Sequence, residues 1–217
     1  NFSESLENSL HNAVSNSQAN AKNKANTLND TITRMNSSYR ENNDSATSWG
    51  VNGKGEVSLR TSAGLKVFGN GATVEGVVSA AMQAGYDERT AKQLGNEFGL
   101  IKNQQKSYTE SLNEVSNYQK SLDYVTRTGA NIARDLTDEM FNKKRENGIS
   151  ESEIKSLAND RELLAKELQD YAFSKFNLNK PQMYKNHNNS NRQFQNSYDN
   201  LSFDNEHNQR IAEAKQN

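Results

Sequence analysis

From Phe2 to Tyr39 the apolar and small side chains recur every three or four residues, at Phe2, Leu6, Leu10, Ala13, Ser17, Ala21, Ala25, Leu28, Ile32, Met35 and Tyr39. That is the period of one helix face, held over many turns. The face is narrow, and in its middle it falls to Ser and Ala. A narrow seam marks a coiled-coil-like helix, whereas a helix on a globular core carries a wide apolar stripe. Each Asn along it lowers helix propensity by about half a kcal/mol relative to Ala. The helix therefore needs a partner. The seam can close against residues 87–143 of the same chain, which is the preferred reading, or against a second copy.

Composition points the same way. Only 32% of the 217 residues are hydrophobic, and mean hydropathy is −1.02. Globular domains are typically about 45–50% apolar with Gly included. So little apolar surface cannot build one thick core against the chain's conformational entropy. It leaves long helices with thin seams, or partial disorder. The net charge is −1 with both signs interspersed, which argues against the basic stripe of a nucleic-acid binder. Cysteine is absent, so disulfides and thiolate metal sites are excluded. No apolar run approaches the ~20 residues that cross a bilayer. The chain begins at Asn1, so a longer parent with targeting signals upstream is expected.

Further along, residues 43–53 are rich in turn formers and close the first helix, with Trp49 pinning its end against the next element. The period then changes to two. Val57, Leu59, Thr61, Ala63, Leu65 and Val67 alternate with polar residues and Gly, which predicts a strand. Asn70-Gly71 has hairpin-turn chemistry, and Ala72, Val74, Gly76 and Val78 alternate again. A β-hairpin over about 55–79 is expected. Because an isolated hairpin is marginal in water, it must lie on helices or extend another chain's sheet.

Helix returns over 79–143, with Asp87 as a cap and Gly95, Gly99 and Gly129 as sites of kinks or close crossings. Asn147-Gly148 ends it. Ser150 and Glu153 have the spacing of a capping box that opens a helix over about 151–176, folding back as a helical hairpin. Residues 177–217 are Asn- and Gln-rich and read as a flexible tail with a short helix near 205–215. The expected fold is mainly α: an elongated antiparallel helical bundle with coiled-coil-like long helices and one inserted β-hairpin. Residues 1–176 form the helical domain and 177–217 the tail.

The residues give little support to a reaction. His11, His187 and His207 are far apart, and no His pair has metal-ligand spacing. Residues 69–76 do not match G-x-G-x-x-G, and Gly53-Lys54 lacks the earlier Gly of a phosphate loop. Asp138-Glu139 and Glu151/Glu153 sit among Lys and Arg as a solvated face would. No G-x-S-x-G occurs. Neither a catalytic residue, a metal nor a cofactor is expected.

The long Asn-rich helix, the Gly-rich stretch SAGLKVFGNGATVEG at 62–76 and the polar helices after it resemble the C-terminal region of TraG-type conjugation proteins of F-like transfer systems. The resemblance covers roughly residues 1–176, and 62–76 is its most specific part. It implies a periplasmic, extracytoplasmic part of an inner-membrane protein of a type IV secretion system, acting in mating-pair stabilisation and entry exclusion. It implies as partners an entry-exclusion protein in the recipient's inner membrane and other transfer-system proteins. It implies no catalytic residues, small-molecule substrate or direct nucleic-acid binding. The residues alone also favour recognition, since narrow seams suit side-by-side association and a strand edge suits strand addition. On the hairpin, Lys66, Phe68, Asn70, Thr73 and Glu75 are the expected partner-binding residues. A coiled-coil stalk of phage-tail or adhesin type, or a peptidoglycan-acting enzyme, are the alternatives.

Overall fold

The seam of the first forty residues forms one helix, α1 (Phe2–Glu41), of 40 residues, about 60 Å long at 1.5 Å per residue. The computed structural model describes residues 2–42, 44 and 46–179. The chain divides into two units, residues 1–172 and 173–217. The first contains nearly all of the described architecture and is mainly helical with one small inserted sheet, as the sequence predicts.

α1 buries Leu6, Leu10, Val14, Ser17, Ala21, Leu28 and Thr31. The line follows the predicted seam, with Val14 replacing Ala13 and Thr31 lying deeper than Ile32. Its partner is α3 (Glu88–Thr128) of the same chain. The two run antiparallel: Tyr39 meets Glu97, Asn20 meets Ser111, Glu7 meets Thr126, and Ser3 meets the carbonyl of Gly129. Mid-seam the contact is small and polar. Buried Ser17 donates to the Val14 carbonyl at 3.0 Å, and buried Ser111 donates to that of Ser107 at 3.0 Å. Each hydroxyl is satisfied by its own helix, so the seam carries them without an orphaned donor.

Near the C-terminal end of α1 lies the main core cluster. Leu28, Trp49, Val57, Leu59, Phe68, Val77, Ala81, Ala91, Leu94, Phe98 and Ile101 pack there. They come from α1, α3, the short helix α2 (Val74–Gln83) and a three-stranded antiparallel sheet. The strands are β1 (Ser48–Val51), β2 (Val57–Thr61) and β3 (Gly64–Phe68), in the order β1-β2-β3. Trp49 does hold the end of α1, from within β1 at 3% exposure.

The hairpin differs from its expected form. Its turn is Ser62-Ala63, since Thr61 pairs with Gly64 and Val57 with Phe68. Asn70-Gly71 is instead the link into α2. The segment expected as the second strand is helical because Thr73 caps it, its Oγ1 accepting from the Gly76 amide at 3.1 Å. Val74, Val77, Val78 and Ala81 then share one helical face. β1 also lies where turns alone are expected. It is too short to show a period, and tertiary pairing with β2 forms it.

α2 lies directly on α3 at Gly95. A Cβ there would stand 2.5 Å from Val78 Cγ2 and 3.3 Å from the Val74 carbonyl oxygen, so Gly95 is a close crossing. Asp87 caps α3 as expected, accepting from the Thr90 amide at 2.9 Å. The helix breaks at Gly129, whose φ is 55°. A 3-10 turn (Gly129–Asn131) leads into α4 (Ile132–Glu146), which buries Ile132, Leu136 and Met140. Gly148, at φ 89°, ends α4, with the Ile149 amide donating to the Lys144 carbonyl at 3.0 Å. The capping box of Ser150 and Glu153 opens α5 (Glu151–Asn159).

The single helix expected over 151–176 is interrupted at Asp160. Its ψ is 96°, and its Oδ1 accepts from the Leu163 amide at 3.0 Å, starting a separate helix, α6 (Arg161–Lys175). α6 returns along α4, where Lys144 pairs with Glu167 at 3.0 Å. In the second unit, Asn177 at φ 53° stops α6, and the Leu178 amide donates to the Phe173 carbonyl at 2.8 Å. The expected tail, with its short helix near 205–215, lies outside the described residues from 180 onward.

Gly95→Ala tests the crossing. Helix propensity favours Ala over Gly by about 1 kcal/mol, whereas overpacking against a stiff Val costs about 1–3 kcal/mol. Gly95→Ala is expected to lower Tm, and Val78→Ala in the same chain to recover part of the loss in a double-mutant cycle by thermal melting. A higher Tm for Gly95→Ala alone would refute the close crossing.

Candidate functional site

The sheet has two edges, and they are finished differently. Along β1, the Asn36 side chain of α1 takes both backbone groups of Trp49. Its Oδ1 accepts from the Trp49 amide at 2.7 Å, and its Nδ2 donates to the Trp49 carbonyl at 3.0 Å. The side-chain amide stands in for a neighbouring strand. β3 is the opposite edge, and no strand covers it among the described residues. With a two-residue turn, the Thr61–Gly64 pair is hydrogen-bonded, and alternation then places the amides and carbonyls of Leu65 and Val67 on the open edge.

The turn also sets which way the side chains face. In register, Val57 opposes Phe68, and Leu59 opposes Lys66. Opposed residues share a face, so Phe68 turns inward with Val57 and Leu59. Leu65 and Val67 turn outward beside Arg60 and Ser58. They are 59% and 50% exposed, among the most exposed large hydrophobics described.

Two helices hold the sheet in place through one carboxylate. Glu97 of α3 accepts from Tyr39 Oη of α1 at 2.5 Å and from Trp49 Nε1 of β1 at 2.7 Å. Burial and the Glu97 hydrogen bond push the Tyr39 phenol well above its ordinary range. On α6, burial and a hydrogen bond to Glu139 push the Tyr171 phenol up to about 12.

Beside the inner face of β3 lies a cleft of about 360 Å³ between the sheet and α3. Val57, Phe68 and Phe98 form its apolar part, and the Phe68 and Phe98 rings stand 5.3 Å apart. Its charged lining is Lys54, Lys102, Lys106 and Glu110. Lys102 Nζ stands 5.7 Å from the Phe98 ring centre and donates to the Ala72 carbonyl. Lys106 and Glu110 approach to 3.9 Å, both largely exposed. Such a pair contributes little and leaves Lys106 open to other anions.

The five expected contact residues fall around this region in different roles. Lys66 is exposed in the middle of the edge strand. Asn70 is exposed and lines the cleft. Phe68 is 8% exposed and belongs to the core, so its part is to form the cleft floor. Thr73 is the cap of α2, and Glu75 lies exposed in its first turn. Leu65, Val67 and the cleft lysines are the residues that sequence reasoning missed. Leu65 and Val67 were hidden by an alternation that runs on unbroken from Val57. Lys54, Lys102 and Lys106 come from separate segments, which only the fold assembles.

His11 is exposed on α1, and His187 and His207 lie outside the described residues. Among the described residues there is no group of three or more His, Cys, Asp or Glu placed to hold a metal ion, and no helix long and apolar enough to cross a membrane. Comparison with protein-family models, curated proteins and solved structures gives no match to this chain.

The Tyr39–Glu97–Trp49 link makes stability sensitive to alkali. Above pH 10 the unfolded chain releases phenolic protons that the folded chain keeps on Tyr39 and Tyr171. The folded state then binds more protons, so stability falls as pH rises. Tm is expected to start falling near pH 10, about where a free phenol titrates, to go on falling to at least about pH 12, where Tyr171 titrates, and to fall less steeply in Tyr39→Phe. At neutral pH Tyr39→Phe is expected to cost about 1.5–3 kcal/mol, the range for a hydrogen bond to a charged acceptor. Equal alkaline slopes in both proteins would refute the Tyr39 assignment.

Proposed function

We propose that this chain is a non-enzymatic interaction domain that binds another protein through the β3 edge. The observation that carries the reading is the contrast between the sheet's two edges. One is gripped by Asn36 at Trp49, and the other presents the backbone groups of Leu65 and Val67 with no strand beside them among the described residues. Open edges invite unwanted pairing, and proteins commonly block them. An edge left open on a sheet whose other edge is held by a side-chain amide is best explained by use. The α1 seam is occupied by α3 of the same chain, which favours an interaction domain over a coiled-coil stalk.

The resemblance to TraG-type proteins supplies the setting. In this reading the domain is the extracytoplasmic part of a conjugative transfer protein and acts in mating-pair stabilisation and entry exclusion. Its partner is a small inner-membrane protein of the recipient cell, alongside other transfer-system proteins.

The test is a pull-down with the purified chain against inner-membrane proteins from cells that carry the conjugative element and from cells that lack it. One small membrane protein retained only from carrier cells, and binding directly when purified, is the expected result. No carrier-specific partner, with the chain folded by circular dichroism, overturns the conjugative setting.

A further inference from the structure

We propose that the β3 edge and the neighbouring cleft form one continuous site for an extended segment of a partner protein, in which apolar side chains alternate with acidic ones. This deepens the interaction-domain reading and rests on it. An added strand would bond to the outward amides and carbonyls of Leu65 and Val67. Its side chains alternate between the two faces of the sheet. On the outer face they meet exposed Leu65 and Val67. On the inner face they meet Lys66 and then the cleft, where Lys54, Lys102 and Lys106 outnumber Glu110. One face therefore selects apolar residues and the other acidic residues.

Lys66 also argues against a second copy as the occupant. If two β3 edges paired antiparallel about their centres, Leu65 of one strand would oppose Val67 of the other. The two Lys66 residues would then face each other as a directly opposed pair. Like charges in that position repel. An acidic residue opposite Lys66 turns the same contact favourable. The charge therefore admits an acidic strand and disfavours self-pairing.

The experiment uses the full chain, labelled with nitrogen-15, and a synthetic heptapeptide alternating valine with glutamate. Controls replace glutamate by glutamine or by lysine, and a short single-stranded oligothymidylate serves as a polyanion without a peptide backbone. The expected result is saturable shifts in the Leu65 and Val67 amides and in those of Lys54, Lys102 and Lys106, from the glutamate peptide alone, weakening with added salt. Lys54→Glu/Lys106→Glu is expected to weaken binding about tenfold or more, because both rim charges are reversed. Val67→Pro removes an edge amide that β2 does not use, and is expected to abolish binding with the fold intact. Should Val67→Pro lower Tm, Leu65→Asp/Val67→Asp, at two exposed positions, makes the same test.

No binding of the glutamate peptide, equal binding of the glutamine or lysine peptide, or full binding by Val67→Pro would overturn the proposal. So would oligothymidylate binding that Val67→Pro leaves unchanged, which would make the lysines a generic polyanion surface. Failure of the broader reading looks different. A membrane partner captured equally by wild type, Val67→Pro and Lys54→Glu/Lys106→Glu would leave an interaction domain with its site elsewhere. Glutamate-peptide binding without any carrier-specific partner would keep this site and remove the conjugative setting.

Discussion

One carboxylate, that of Glu97, ties α1, α3 and the sheet together. Tyr39 and Trp49 both donate to it. Long helices with a thin seam can slide, because small residues in mid-seam fix register weakly. The Glu97 link supplies what that seam lacks: a directional, charge-assisted contact satisfied in only one alignment. It also sets the sheet's orientation, because Trp49 enters from β1 while Asn36, one turn before Tyr39 on α1, grips the Trp49 backbone. With β1 fixed, register carries the constraint through β2 to β3, and the free edge faces away from α1's grip.

Much of this was legible in the sequence, and the misses have a common cause. The long helices were visible because their signal is repeated: Leu6, Leu10, Leu28 and the α3 series Leu94, Phe98 and Ile101 keep helical spacing over many turns. The caps at Asp87 and Ser150 were legible because capping needs only local chemistry. The hairpin failed because its signal is short. Val57, Leu59, Leu65 and Val67 keep the same parity, so they read as one face of one strand. A two-residue turn at Ser62-Ala63 puts opposed residues 57 and 68 on the same face, and the parity of the second strand changes. Residues 72–78 carry period two and helical spacing together, and the Thr73 cap and the space over Gly95 decide for helix. β1 depends on Asn36 and β2, which no local window contains.

The candidate site shows the same division between local and assembled information. Lys66 and Asn70 could be singled out from the sequence because they sit in a distinctive stretch, and both lie at the site's surface. Phe68 could be picked for its neighbours but not for its burial, since facing inward follows from the hairpin register. The lysine rim could not be found at all. Lys54 comes from the β1–β2 turn and Lys102 and Lys106 from α3, and only the packing of the sheet on α3 brings them to one cleft.

The position of the open edge within the fold bears on how it can work. A strand-addition site is effective when its template is already rigid, because binding then orders only the incoming segment. The first unit is packed unevenly. Its large buried side chains gather at the two ends of the α1–α3 seam, with Trp49, Leu59, Phe68 and Phe98 in one cluster where the sheet, α2 and α3 meet and Leu6, Leu10, Val125 and Ile132 at the other end, while the middle of the seam is Ser17, Ala21 and Ser111. The free edge is built on one of the two well-packed ends. Phe68 anchors the last residue of β3 in that cluster, and Lys102 ties the Ala72 carbonyl just beyond it to α3. The strand that lacks a neighbour is therefore held at one end by the core and along one side by β2, which gives an exposed edge the stiffness that recognition of an extended segment requires.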